Sequence, residues 1–206
     1  MSKRLGSYGA QHLREEGVEP MALLDVLARI GTSQPVEPVE SLDELAASFD
    51  FSTFGRAPAH FDPHEVELIN ARLMHNLAFE AVRDRLPPGA SEEDWLLLRP
   101  NLQRLADFGA WLDVLHGEID PPALSHDERL LVKDAAAVAE KLAWSGEAWR
   151  EMTEELKQAT GKKGRELFHP LRLALTGRES GPEMAGLVAR MGQERAVRRL
   201  EAAAKR

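Results

Sequence analysis

The sequence predicts a mainly α-helical protein with no Rossmann domain, and three observations predict it. Apolar residues recur at helical spacing, while no segment alternates for long in the strand period. Helix-start signals, a Ser or Asp with Glu or Pro in the following turn, recur along the chain. The stretches between them are rich in Pro and Gly.

The elements follow in order. A helix through Leu13–Gly17 comes first. Pro20 opens a second, with Leu23, Leu24, Leu27 and Ile30 on one face and Gly31 as its stop. Thr32–Val39 carries two prolines and no apolar period, which predicts a loop. Ser41 with Glu44 reads as a capping box. Phe49–Phe54 carries a weak strand signal. Asp62-Pro63 starts a helix through Val66, Ile69 and Leu73, with Glu65 in its first turn. Pro87-Pro88-Gly89 is a turn, and Ser91 starts a helix before Trp95 and Leu98. Pro100 is expected to restart the chain into a helix carrying Leu102, Leu105, Phe108 and Leu112. Asp120-Pro121-Pro122 is the best domain boundary. Ser125 with Glu128 is a second capping box, opening a helix through Leu130, Leu131, Val138 and Leu142. Gly146 and Gly161 bracket a helix with Trp149, Met152 and Leu156.

The last quarter is the most regular. A helix over Lys163–Thr176 puts Leu167, Leu171 and Leu175 at i, i+4 and i+8, with Phe168 adjacent. That stripe predicts core, with Arg172 at its edge. Gly177 fits a left-handed stop. Arg178-Glu179-Ser180-Gly181 leads into a helix expected to have Pro182 in its first turn and Met184, Leu187, Val188 and Met191 on its buried face. The first-turn N–H groups of that helix form an electropositive end suited to phosphate or base oxygens. Gly192 ends it, and Gln193 opens a last helix in which Glu194 and Arg198 can pair.

Composition excludes several classes. A 22.9 kDa chain of 206 residues buries roughly 70% of its unfolded surface on folding, enough for one large domain or two small ones. There is no cysteine, so disulfides and thiolate metal sites are excluded. No apolar run reaches membrane-spanning length, and no signal-peptide pattern is present. His60 and His64 lack a third ligand, and no metal site is expected. Trp95, Trp111, Trp144 and Trp149 read as core or domain contacts. The net charge of −8 is unevenly spread. Residues 1–160 hold 15 Lys+Arg and 29 Asp+Glu, whereas residues 161–206 hold 11 and 5. The basic quarter suits phosphate contact, and equally a solvated helix at a chain end.

The run Phe168-His169-Pro170-Leu171-Arg172-Leu173-Ala174-Leu175-Thr176-Gly177, followed by Gly181-Pro182-Glu183-Met184, resembles the anticodon-binding domain of bacterial glutamyl-tRNA synthetases, class I aminoacyl-tRNA synthetases. The likeness is dense over Gly164–Leu200. Met1-Ser2-Lys3-Arg4 resembles the end of the family's KMSKR loop, and the order Gly6-Ser7, Leu13–Gly17, Pro20–Leu24 and Phe61-Asp62 follows the family's. Leu97–Leu102 resembles its helical connecting domain.

The resemblance implies a stem-contact segment over residues 1–62, a connecting domain over 63–120 and an anticodon-binding domain over 121–206. It implies that Lys3, with Ser2 and Arg4, belongs to the loop that neutralises ATP phosphates. It implies that Arg172, Gly181, Pro182, Glu183 and Met184 contact the anticodon, although Arg172 taken by itself reads as a surface arginine whose loss should spare the core. Many members carry Arg-Pro-Arg where this chain has Arg99-Pro100-Asn101, and the second arginine helps read the third anticodon base. Asn101 takes that position, with Arg104 expected a turn further along as a partial substitute. Glu183 departs from expectation, since a carboxylate repels phosphate.

The function so implied is the tRNA-binding part of a cytoplasmic, monomeric glutamate–tRNA ligase. Such an enzyme uses ATP and Mg, and the partners expected here are glutamate tRNA and, as a second candidate, glutamine tRNA. This chain alone is expected to be inactive, because the nucleotide-binding half is absent from it. A free-standing helical RNA-binding or assembly protein, and a helical interaction module with no RNA role, are the alternatives.

Overall fold

The computed structural model describes residues 9–56 and 58–206. Met1–Arg4 and Gly6-Ser7, which carry the resemblance to the phosphate loop, lie outside the described residues. Among the described residues there are twelve α-helices and no named strand. The chain divides into two compact units, one ending at Gly109 and the other running from Ala110 to Arg206.

The first unit contains α1 (Ala10–Glu15), α2 (Pro20–Arg29), α3 (Leu42–Ser48), α4 (Pro63–Asn76), α5 (Phe79–Val82), α6 (Glu92–Leu98) and the start of α7 (Asp107–His116). Its main core joins Leu13 and Val18 to Ala22 and Val26 of α2 and to Val66, Ile69 and Leu73 of α4. Each of the larger side chains contributes about 1.5–3 kcal/mol by burial. Asn70 is the polar pin of this core. Its side-chain oxygen accepts from Glu19 N–H at 2.8 Å, and its amide donates to Gln103 O at 2.6 Å. Trp95 and Phe108 pack with ring centroids 5.7 Å apart, and the indole N–H is satisfied by Leu77 O at 2.9 Å.

Several expectations need correction here. The buried face of α2 is Ala22, Asp25 and Val26, while Leu24 and Leu27 are exposed. Apolar residues wrap most of that helix, so spacing alone does not choose the face. The Ser41 hydroxyl does accept from Glu44 N–H, but the Glu44 carboxylate takes the N–H of Glu40 instead of closing a box on Ser41. Phe49–Phe54 forms a single 3-10 turn at Phe51–Thr53 and one isolated bridge from Phe54 to Thr32. Pro100 does not restart a helix. It sits in a 3-10 turn over Arg99–Asn101, Leu102 is extended, and α7 begins only at Asp107. The Asp107 carboxylate accepts from the N–H groups of Gln103 and Arg104, which holds an irregular turn where helix was expected.

The second unit is built from the end of α7 with α8 (His126–Lys141), α9 (Ala148–Thr160), α10 (Arg165–Thr176), α11 (Met184–Met191) and α12 (Gln193–Lys205). The capping box of Ser125 and Glu128 is complete. On α8 the buried set is Leu131, Val132, Ala135, Ala136 and Ala139, whereas Leu130 is exposed. α12 lies along α8 with Ala196, Leu200 and Ala203 buried. The small residues on both helices let the backbones approach. Leu167, Leu171 and Leu175 are fully buried, and the turn continues through Pro170, which stands inside α10 without a donor for Glu166 O.

Arg199 is buried among these apolar residues. Its guanidinium donates to Val114 O, Leu175 O and Gly117 O, each at 2.7 Å. These acceptors belong to the C-terminal ends of α7 and α10, where carbonyls lack helical partners and the dipole favours a cation. Burial pushes the Arg199 side chain down to about 10. Among the described residues, no helix is long and apolar enough to cross a membrane, and no group of three His, Cys, Asp or Glu side chains could hold a metal.

Candidate nucleic-acid interface

The junction between α10 and α11 gathers five of the seven residues expected from the sequence to contact an anticodon. α10 ends at Gly177 with φ +67°, and Gly177 N–H bonds Leu173 O at 2.8 Å. Thr176, buried just before it, donates through its hydroxyl to Arg172 O at 2.7 Å and accepts from Arg178 N–H at 3.2 Å. The turn out of the helix is therefore fixed by hydrogen bonds within four residues.

Arg172 reaches across the loop. Its Nη2 donates to Pro182 O at 3.1 Å, while Nη1 is buried and has no partner. Burial lowers the Arg172 guanidinium below its ordinary value. The residue is therefore both a strap on the loop and a cation with an unused donor. This differs from the expectation that Arg172 is independent of the fold.

Pro182 is buried and precedes the helix rather than opening it. Glu183 is the N-cap residue, exposed and extended at φ −61° and ψ 133°, and its side chain caps nothing. The first helical bond runs from Leu187 N–H to Glu183 O at 3.2 Å. Met184 is only 5% exposed, so its side chain belongs to the core and is closed to a ligand. The loop is held from below as well. Gly181, at φ +145°, lies against the ring of Trp111, and Arg178 stands over the same ring with its guanidinium carbon 5.0 Å from the centroid. Trp111 and Arg178 were not legible as site residues, because the contact spans about seventy positions of sequence and no local pattern announces it.

The other two predicted readers lie in the first unit. Asn101 is exposed at the end of the 3-10 turn, and its side chain bonds no described residue. Arg104 is not on a helix with it. Its Nη2 is 3.3 Å from Glu16 and 3.7 Å from Glu67, which divide its charge between them.

Residues 71–204 match the family model described as an anticodon binding domain. The chain belongs to the anticodon binding domain family. Curated relatives of this domain include a glutamate–tRNA ligase 2 of Sphingopyxis alaskensis, 48% identical over 203 residues, which cover 98% of this chain and 46% of that protein. A glutamate–tRNA ligase 1 of Rhizorhabdus wittichii is 48% identical over 204 residues, 99% of this chain and 46% of that protein. The chain thus spans about half the length of the curated relatives it matches. A glutamate tRNA ligase of Elizabethkingia meningosepticum, solved with its amino acid, superposes with a TM-score of 0.71 at 21% identity, over 94% of this chain and 42% of that one. That likeness establishes the all-helical anticodon binding domain fold.

Proposed function

We propose that this chain is the tRNA-binding, anticodon-recognising C-terminal portion of a glutamate–tRNA ligase, a cytoplasmic and monomeric enzyme that uses ATP and Mg to attach glutamate to its tRNA. The observation that carries the reading is the α10–α11 junction. An exposed loop is pinned at Thr176, Arg172 and Trp111, and it sets the half-buried Arg172 cation beside a helix end whose cap residue leaves the first-turn N–H groups free of side-chain partners. Preorganised donors of this kind read base edges in single-stranded loops.

In this reading residues 1–62 contact the tRNA stem, 63–120 connect and 121–206 grip the anticodon. Arg172 and the backbone of Gly181–Met184 meet the anticodon, with Asn101 and Arg104 near its third base. Lys3, with Ser2 and Arg4, belongs to the ATP-phosphate loop. By itself the chain binds tRNA and does not activate glutamate.

The test is binding of the chain to glutamate tRNA across a salt series. The expected result is an affinity that falls linearly in logarithmic plots as salt rises, and that drops when the anticodon is altered. Arg172→Ala should weaken the natural tRNA by about 1–3 kcal/mol and the altered one by less. An anticodon-blind affinity would defeat the reading. A glutamate-dependent pyrophosphate–ATP exchange by the chain alone would overturn the division of labour.

A further inference from the structure

We propose that Phe168 is a stacking platform for an unpaired nucleobase of the tRNA anticodon loop, one helical turn from Arg172. The inference rests on the anticodon-binding reading above and adds a contact to it. Leu167 and Leu171 of the core stripe are fully buried, yet Phe168, between them in sequence, is 40% exposed. Its ring is braced from within the same unit by Trp149, with centroids 6.1 Å apart and planes at 41°. It is therefore an aromatic surface held in place rather than a loose side chain.

The neighbours select the occupant. At about 100° per residue, Arg165, Phe168 and Arg172 fall within an arc of about 60° on α10. The stripe reads cation, ring, cation, and it ends at the pinned loop. Arg165 and the adjacent Lys163 are exposed and form no ion pair with a described residue. Beyond Phe168 lies the half-buried cation of Arg172, held toward the loop by its bond to Pro182 O. A protein partner needs a broader apolar patch than one ring between charges. A nucleotide needs a flat apolar face for its base and cations on either side for its phosphates, which is the arrangement here. Stacking has no demand for a particular base, so Phe168 would hold a loop nucleotide in place while Arg172 and the loop backbone do the reading.

The experiment uses the whole 206-residue chain and anticodon stem-loops of glutamate tRNA, each with 2-aminopurine at one loop position. Stacking on Phe168 quenches the fluorophore at one position on binding. Phe168→Leu keeps an apolar cover over Trp149 and should lose that quench, weaken binding by about five- to hundredfold and leave the salt slope unchanged. Phe168→Tyr keeps the ring and should behave as the unmutated chain, which separates stacking from a folding defect. Arg165→Ala should instead reduce the salt slope by about one. If Phe168→Leu binds and quenches like the unmutated chain while Arg172→Ala is impaired, the stacking site is wrong and the anticodon reading stands. If the unmutated chain binds no stem-loop, both fall.

Discussion

Gly181 packs directly on the indole of Trp111. A Cβ at Gly181 would sit 3.0 Å from Trp111 Cζ3 and still closer to Cη2 and Cζ2, so no side chain fits there while the ring keeps its place. The backbone at φ +145° is also one that L-residues seldom adopt. The loop between α10 and α11 is therefore specified by two residues about seventy positions apart.

Gly181→Ala should consequently displace the loop and cost about 1–3 kcal/mol in stability. Its effect on anticodon-loop affinity should exceed that of an alanine placed at exposed Ser180. Shrinking the ring removes the steric half of the problem but not the backbone half. Trp111→Leu combined with Gly181→Ala should thus be less damaged than the sum of the single variants, by at least about 0.5 kcal/mol in a double-mutant cycle. Strict additivity, read from urea unfolding, would show that the ring does not define the loop.

Arg199 ties together the C-terminal ends of two helices, α7 and α10, so its loss should be felt through the whole second unit. Arg199→Ala leaves the carbonyls of Val114, Leu175 and Gly117 buried without donors. The expected cost is about 3 kcal/mol or more. Arg199→Lys keeps a cation but not the planar fork that reaches carbonyls on two sides, and should recover less than half of that loss. Thermal unfolding of the three proteins checks the order. A Tm for Arg199→Ala within about 2 °C of the unmutated chain would contradict the assignment.

The capping box on α8 gives a pH signature. Hydrogen bonds from the Ser125 backbone and then its hydroxyl hold the Glu128 carboxyl below its ordinary value. A carboxylate depressed in the folded state binds fewer protons there than in the unfolded chain. Its contribution is therefore complete above about pH 4.5 and is lost as pH falls through the folded value. Glu128 is solvent-accessible, so the amount is small, about 0.5 kcal/mol. Glu128→Ala should lower stability at pH 7 and have a shallower acid slope than the unmutated chain. Equal slopes from pH 6 to pH 3 would remove Glu128 from the box.

How much of this was readable beforehand depended on whether the cause was local. Helix ends with their own signals, such as Asp62-Pro63, Ser125 with Glu128, Gly161 and Gly177, fall where the sequence places them. The stripe of Leu167, Leu171 and Leu175 was equally plain, because a leucine recurs every four residues along α10. The face of α2 was not, because Leu24 and Leu27 compete with Ala22 and Val26 and only the packing of α4 decides. The run after Pro100 failed for a different reason. Leu102 and Phe108 are both fully buried, so the apolar spacing is real, but a side chain, Asp107, caps the backbone between them and helix gives way to a turn. Arg199 occupies a core position of α12 beside Ala196, Leu200 and Ala203. A charged residue in that register was the available signal for a buried hub. The contact of Gly181 with Trp111 had no such signal.

The turn after α6 leads to the last prediction. Asn101 and Arg104 were expected on one helix, where Arg104 would substitute in part for the arginine that the family resemblance implies at the position of Asn101. In the folded unit Arg104 is tied to Glu16 and Glu67, whereas Asn101 is exposed. An asparagine is short and uncharged, and it both donates and accepts, so it distinguishes C from G at the third anticodon base less strictly than a guanidinium. The preference of this chain between two stem-loops differing only at that base is expected to stay below about tenfold. Asn101→Arg should raise it. Arg104→Ala should leave the preference unchanged and lower stability by no more than about 1 kcal/mol, the usual range for a half-exposed ion pair. Competition binding of the two stem-loops is the measurement. A hundredfold preference in the unmutated chain that Arg104→Ala abolishes would mean that Arg104 leaves its two carboxylates to read the base.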